Sequence, residues 1–349
     1  MSEALTLARS LYREIPLYAP DRTPCATDLS DNTNRFGVPP AALRALRGAE
    51  EEAVARYPRP FADALKAALA GYAGVEPGEI ATGCGSDDVI DSAIRAFSEP
   101  GDALAYPDPT FAMVPIFARM NGLDPVPVPL AADLDIDPDA LLATGARILY
   151  LCSPNNPTGR AASRHAVERV VRESSGLVIL DEAYAEYAGA NWIAAAPERE
   201  RLIVTRTLSK AFGLAGLRIG YAAGAAPLVR ELEKSRGPFK VGTLAERAAV
   251  AALTEDLGWV GARVDEARAI RARFAAALAG RGIRALPSDA NFVLVPVPDA
   301  ARVAAAMRAG GVAVRPFPGL ARIGDAVRIT VGPWPLMERA LARLTEALA

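Results

Sequence analysis

Arg147-Ile148-Leu149-Tyr150-Leu151-Cys152-Ser153-Pro154-Asn155-Asn156-Pro157-Thr158-Gly159 is a short apolar run that stops at a cluster of turn formers. The same pattern returns at 177–180, followed by Asp181-Glu182-Ala183-Tyr184, and at 202–206, followed by Thr207-Leu208-Ser209-Lys210. Runs of this length, bounded by turn residues, read as buried strands. Further strands are expected at 103–106 and 218–222, with helical patterns between them at 87–97 and 164–173. Strands alternating with helices predict an α/β fold with a mostly parallel sheet. In such sheets ligands sit beyond the carboxyl ends of the strands, and the polar clusters fall there.

The chain has 349 residues, enough for two domains. The carboxyl-terminal third changes texture. Ala/Arg-rich helices at 243–253 and 259–280 precede a strand at 290–297, a helix at 300–309 closed by Gly310-Gly311, and a strand at 326–331. We therefore expect an N-terminal arm at 1–28 that packs on the rest of the protein or on a second subunit. A large domain at 29–240 and a small α/β domain at 241–349 follow, with part of the N-terminal segment as a candidate addition to the latter.

With 39 basic and 41 acidic side chains the net charge is −2, and no basic stripe is present to track a nucleic acid. The opening Met1-Ser2-Glu3-Ala4 lacks the order of a secretion signal, and no apolar stretch is long enough to span a bilayer. A cytoplasmic protein without nucleic-acid or membrane partners is expected. Cys25, Cys84 and Cys152 are odd in number and widely spaced, which fits neither a disulfide framework nor a zinc site. The single histidine, His165, excludes multi-histidine metal centres, and no metal is expected.

Five segments carry chemistry. Lys210 stands at a strand end among small and apolar residues, in Ser209-Lys210-Ala211-Phe212-Gly213-Leu214-Ala215-Gly216-Leu217-Arg218. Desolvation disfavours its ammonium form, and a neutral amine attacks aldehydes. Ser209 and Arg218 can face an anion. Asp181, after a buried strand, needs a cation nearby, and a protonated pyridine nitrogen is one; a helix-capping role is the plain alternative. Tyr184 can donate to a ring phenolate. Asn155 and Asn156 offer donors from a fixed loop. Thr82-Gly83-Cys84-Gly85-Ser86-Asp87 opens a helix whose N–H groups suit phosphate; a plain start capped by Ser86 is the alternative. Phe111, in Pro109-Thr110-Phe111, can stack on a ring.

In this order the segments resemble the class I/II aminotransferases, enzymes of the fold-type I pyridoxal 5′-phosphate (PLP) family. The resemblance covers roughly 28–335 and rests on SPNNPTG, DEAY and SKAFGLAGLRIGY. GSDD with IRAF, PGD and PTFAM points to the histidinol-phosphate aminotransferase branch. It implies a large domain with a mostly parallel mixed sheet between helices, plus a smaller α/β domain. It implies that Lys210 forms the Schiff base with PLP and shuttles protons, and that Asp181 pairs with the pyridine N–H. Tyr184 and Asn156 would hold the ring oxygen, and Phe111 would stack on the ring. Ser209, Arg218 and Gly85-Ser86-Asp87 would hold the phosphate. Tyr57, in Arg56-Tyr57-Pro58, would cross to the neighbouring site of a homodimer. Arg328 and Arg339 would bind substrate, with Tyr18 and Asn34 beside them. The implied reaction moves an amino group from a small-molecule donor to a 2-oxo acid such as 2-oxoglutarate.

Two stretches depart from the family. Asn32-Thr33-Asn34-Arg35-Phe36-Gly37 replaces Asn-Glu-Asn-Pro-x-Gly, and Pro333-Trp334-Pro335 follows Gly332. The stretch from Asp28 to Asn34 also resembles threonine-phosphate decarboxylase. A PLP decarboxylase or lyase on the same scaffold, an aminotransferase for another amino acid, and a binding protein without turnover are the alternatives.

Overall fold

A computed structural model describes residues 7–19, 21, 23–189 and 191–349. The opening four residues, and residues 5, 6, 20 and 22 of the expected arm, lie outside the described residues. The described strands are β1 (Thr27–Asp28), β2 (Ile80–Cys84), β3 (Ala103–Asp108), β4 (Asp124–Pro129), β5 (Ile148–Cys152) and β6 (Leu177–Asp181). They continue with β7 (Leu202–Thr207), β8 (Ile219–Ala223), β9 (Phe292–Pro296), β10 (Val312–Ala313), β11 (Arg315–Leu320) and β12 (Gly324–Thr330).

Seven strands form one sheet in the order β2-β8-β7-β6-β5-β3-β4, in which only β8 runs against the rest. Both faces are covered, so β5 to β8 are buried at every position, and β5 and β6 read as continuous apolar runs up to their last residues. Successive side chains still point to opposite faces. Val178, Leu180, Leu202 and Val204 join one core with Val167 and Val170 of helix Arg164–Glu173. Leu177, Ile179 and Ile203 join the other with Val89, Ile90 and Ile94 of helix Gly85–Phe97.

A second, three-stranded antiparallel sheet runs β11-β12-β9. Its apolar side packs with helices Ala300–Ala309 and Trp334–Leu348 and with Phe274 and Leu278 of helix Leu257–Ala279. Leu29 belongs to this core, and β1 pairs with β10, so the segment around residue 28 is anchored far along the chain.

The strands expected at 103–106, 147–152, 177–180, 202–206 and 218–222 are present within two residues at each end. Two strands of the large sheet are additions to the sequence reading. In β4, Asp124-Pro125-Val126-Pro127-Val128-Pro129, prolines remove alternate N–H groups. Such a strand is tolerated only at an edge, where β4 lies, paired with β3 alone. β2 runs to Cys84, so the turn expected from Thr82 starts later and the helix begins at Gly85. Cys84, not Ser86, occupies the cap position, and no side chain caps that helix.

Candidate active site

The carboxyl ends of β5, β6 and β7 open into a cavity of about 600 Å³, closed on the far side by residues 30–33 and by β11 and β12. A larger groove of about 840 Å³, lined by Arg59, Asp63, Glu246 and Arg247, is more open and brings no amine against a carboxylate-lined cleft of this kind. The residues singled out from the sequence gather at the first.

Lys210 follows β7 by three residues. The Leu208 N–H donates to Ile219 O at 3.0 Å and the Ser209 N–H to Thr207 Oγ1 at 3.1 Å, which turns the chain sharply. Lys210 Nζ donates to Asp31 O at 3.3 Å and lies 5.9 Å from the Tyr184 ring centre. Burial, aided by Arg328, pulls its pKa down to about 8; Asp31 and Asp87 resist. A sizeable fraction is therefore the neutral, nucleophilic amine near pH 8.

Asp181, the last residue of β6, is 4% exposed. It accepts from Tyr150 Oη at 2.8 Å and from the Ala183 N–H at 3.1 Å. Burial raises its pKa to about 6 in spite of those two donors. A carboxylate held this way is completed by a cation. Glu182 turns to the opposite side and accepts twice from Arg206, at 3.0 and 2.8 Å, in a buried pair beneath the site.

One end of the cavity is built for an anion. Ser86, Asp87, Thr207, Ser209 and Arg218 line it. Arg218 takes a left-handed backbone, φ +53, and its guanidinium lies 3.7 Å from Asp87. Burial raises the Asp87 pKa, against the pull of Arg218 and Lys210. A Cβ at Gly220 would collide with the backbone of Gly85 and Ser86, so glycine there lets the helix start press against β8.

The other end carries two arginines. Arg328 donates to Asn156 Oδ1 at 2.6 Å and to Ser30 O at 2.8 Å, while its buried Nε has no partner among the described residues. Arg315 sits directly opposite it on β11 and also faces the cavity. Like charges across a strand pair repel, which an anionic ligand would offset. Phe317 lies 5.4 Å beneath the Arg328 guanidinium.

Most residues singled out from sequence meet here: Lys210, Asp181, Tyr184, Ser86, Asp87, Phe111, Asn156, Ser209, Arg218, Arg328 and Tyr18 all line this cavity. Gly85 stands just behind, under Arg218. Three others also lie outside the lining. Arg339 is exposed on helix Trp334–Leu348, away from the cavity wall, and Arg315 stands where a second arginine was expected. Asn34 uses its amide to donate to Ala211 O at 3.0 Å, tying down the lysine loop. Tyr57 is 86% exposed, against Phe239 at 5.2 Å. Arg315 escaped notice because Arg315-Pro316-Phe317-Pro318 reads as loop; only its pairing with β12 brings it to Arg328.

An amine of lowered pKa, a buried carboxylate awaiting a cation and an anion-binding helix start fit a phosphorylated, aldehyde-bearing pyridine. The chain matches the family model for aminotransferase class I and II over residues 26–344, and it belongs to that family. It is a PLP-dependent aminotransferase of fold type I. Among its relatives, a histidinol-phosphate aminotransferase of Thermoanaerobacter sp. (strain X514) is 34% identical, covering 98% of this chain and 99% of the relative. Another, of Roseiflexus castenholzii, is 42% identical over 87% of this chain and 85% of the relative. The crystal structure of histidinol-phosphate aminotransferase from Sinorhizobium meliloti in complex with PLP superposes with a TM-score of 0.90 at 29% identity. It covers 99% of this chain and 98% of that one.

Proposed function

We propose that this aminotransferase takes its amino group from a phosphate-bearing amine of the histidinol phosphate kind and delivers it to a 2-oxo acid such as 2-oxoglutarate. The observation that carries this is the facing pair Arg315 and Arg328 at the cavity end away from Lys210's phosphate-side neighbours. Two guanidinium groups suit a dianionic phosphate, and Arg328 alone suits the carboxylate of the second substrate. The names of the relatives point the same way.

Lys210 would hold the coenzyme covalently, Asp181 would pair with its ring nitrogen, and Tyr184 and Asn156 would meet its ring oxygen. Phe111 would cover one face of the ring, and Ser86, Asp87, Ser209 and Arg218 would hold its phosphate with Gly85. When bound, PLP supplies an aldehyde for imine formation and a ring that spreads the charge released at the substrate's Cα. Lys210 Nζ would be the base that takes the Cα proton and the acid that delivers it to the coenzyme's C4′. Asp181 keeps the ring nitrogen protonated. Arg328 and Arg315 fix the substrate's anionic end, which orients the Cα–H bond toward Lys210.

We further read the molecule as a cytoplasmic homodimer divided at about residue 240 into a large and a small domain. Tyr57, Phe61, Val54 and Phe239 leave exposed apolar surface that suits a second copy, with Tyr57 reaching the partner's phosphate site. The described cysteines are unpaired, and no described helix is long and apolar enough to cross a membrane.

The test is a single-turnover panel. The PLP-loaded protein is mixed with histidinol phosphate, histidinol, glutamate, aspartate and O-phosphothreonine, and loss of the coenzyme's visible absorbance is followed. The expected order puts histidinol phosphate first and its dephosphorylated form at least about a hundredfold slower, the scale of two lost charge-assisted contacts. Equal rates with and without phosphate, or carbon dioxide release from phosphothreonine, would overturn the reading.

A further inference from the structure

Asn32 is the centre of a hydrogen-bond arrangement that has only one consistent direction. It is 1% exposed and takes a left-handed backbone, φ +59, which asparagine tolerates better than most residues. Its backbone N–H donates to Thr330 Oγ1 at 3.0 Å. That hydroxyl, itself 1% exposed, has its own hydrogen to place, and Asn32 Oδ1 lies 3.2 Å away to accept it. The Asn32 amide is thereby oriented. Its Nδ2, a donor only, must be the atom that faces Tyr184 Oη at 3.0 Å. The tyrosine oxygen accepts there, so its own hydrogen points elsewhere, on the cavity side where Tyr184 lines the wall.

Asn32 is held in place from three further directions. Asn291 Nδ2 donates to its carbonyl at 3.0 Å, the Thr330 N–H donates to Leu29 O at 2.9 Å, and Arg328 holds Ser30 O. A flipped amide would set two donors against Thr330 Oγ1 and leave the threonine hydrogen without its acceptor, a cost for buried groups.

We propose that Asn32 and Thr330 are positioning residues that fix the direction of the Tyr184 hydroxyl, making it an obligatory donor to the coenzyme's ring oxygen. This rests on the placement of Tyr184 at that oxygen. A phenol free to rotate would accept as readily as donate. A fixed donor stabilises the anionic ring oxygen, and so loosens the proton on the coenzyme's link to Lys210. The charged and titratable groups around Tyr184 are Arg328 from β12, Asp181 from β6, Cys152 from β5, Lys210 after β7 and Tyr187 from the short helix that follows Tyr184. All of them stay in place in the variants below.

The experiment is a spectrophotometric pH titration of the PLP-loaded enzyme, reading the midpoint at which the visible band changes. Tyr184→Phe should raise the midpoint by about one pH unit or more. Thr330→Val removes the hydroxyl that orients the amide and should raise it part of the way, while Thr330→Ser restores the wild-type value. Asn32→Asp presents acceptors to the phenol, reverses its direction and should raise the midpoint at least as far as Thr330→Val. Thermal melts report whether each variant is folded, and Thr330→Ala substitutes for the valine variant if that one is not. If Tyr184→Phe shifts the midpoint while Thr330→Val leaves it unchanged, the relay is wrong and the placement of Tyr184 stands. A shift in Asn32→Asp alone is an effect of added charge and also overturns the relay. If Tyr184→Phe itself shifts nothing, the placement of Tyr184 falls, and the relay with it.

Discussion

Asp181→Asn should stabilise the coenzyme-free protein and weaken the coenzyme-loaded one, and the opposite signs are the point. In the free protein the carboxylate is buried, and its pKa stands at about 6 instead of the usual 3.8. At about 1.36 kcal/mol per pH unit, holding it ionised above pH 6 costs about 3 kcal/mol. The sign follows from proton counting. Between pH 3.8 and 6 the folded chain binds the proton that the unfolded chain has lost, so this group's contribution falls as pH rises through that window and stays low above it. Asparagine removes the charge and can still accept from Tyr150, but its amide nitrogen then faces the Ala183 N–H, at a loss of about 1 kcal/mol. The net gain at pH 8 is about 2 kcal/mol. For 349 residues, at about 2 cal/mol/K of unfolding entropy each, that is a rise in Tm of about 3 °C. At pH 5 the gain shrinks to below about 1 kcal/mol, because Asp181 is then largely protonated. With PLP present the order reverses: the ring nitrogen loses its counter-charge, and the coenzyme's stabilising effect, set by its dissociation constant, becomes smaller. Differential scanning fluorimetry with and without PLP at pH 5 and pH 8 reads all four values. A free variant no more stable than wild type at pH 8, or a gain that ignores pH, would refute the reasoning.

Lys210→Met should also stabilise the coenzyme-free protein, most strongly below pH 8. The lysine's pKa lies at about 8 against the usual 10.5, so stability contributed by this group rises with pH between those values; denaturant titrations at pH 7.5 and 10 should show the advantage shrinking. Arg315→Met should slow the half-reaction with a phosphorylated amine by about a hundredfold with little change for glutamate, whereas Arg339→Ala should leave both rates within twofold. Gly220→Ala drives a methyl group into the Gly85–Ser86 backbone; we expect a loss of about 1–3 kcal/mol in urea unfolding and a weaker hold on PLP by fluorescence titration.

The run of apolar strands ending in polar turns was legible because burial on both faces keeps β5 and β6 apolar up to their last residues. That is why Asp181, Lys210 and Asn156 could be named from local sequence: each stands at or just after a strand whose direction sets which end meets the ligand. β4 was hidden by its prolines, and β2 by glycines that read as turn. Their membership in the sheet depends on partners outside the local sequence, Ala103–Asp108 for β4 and Ile219–Ala223 for β2.

The sequence by itself determined the sheet's central strands and the places of Asp181 and Lys210 at or just beyond their carboxyl ends, since each is specified by a few adjacent residues. Tertiary structure alone decided that Arg315, not Arg339, stands across from Arg328, and that Asn32 reaches Tyr184 through 152 positions of chain. Such choices depend on strand register and on which buried donors find acceptors. A one-residue change in register reverses the face of every side chain, and nothing in the local sequence records it.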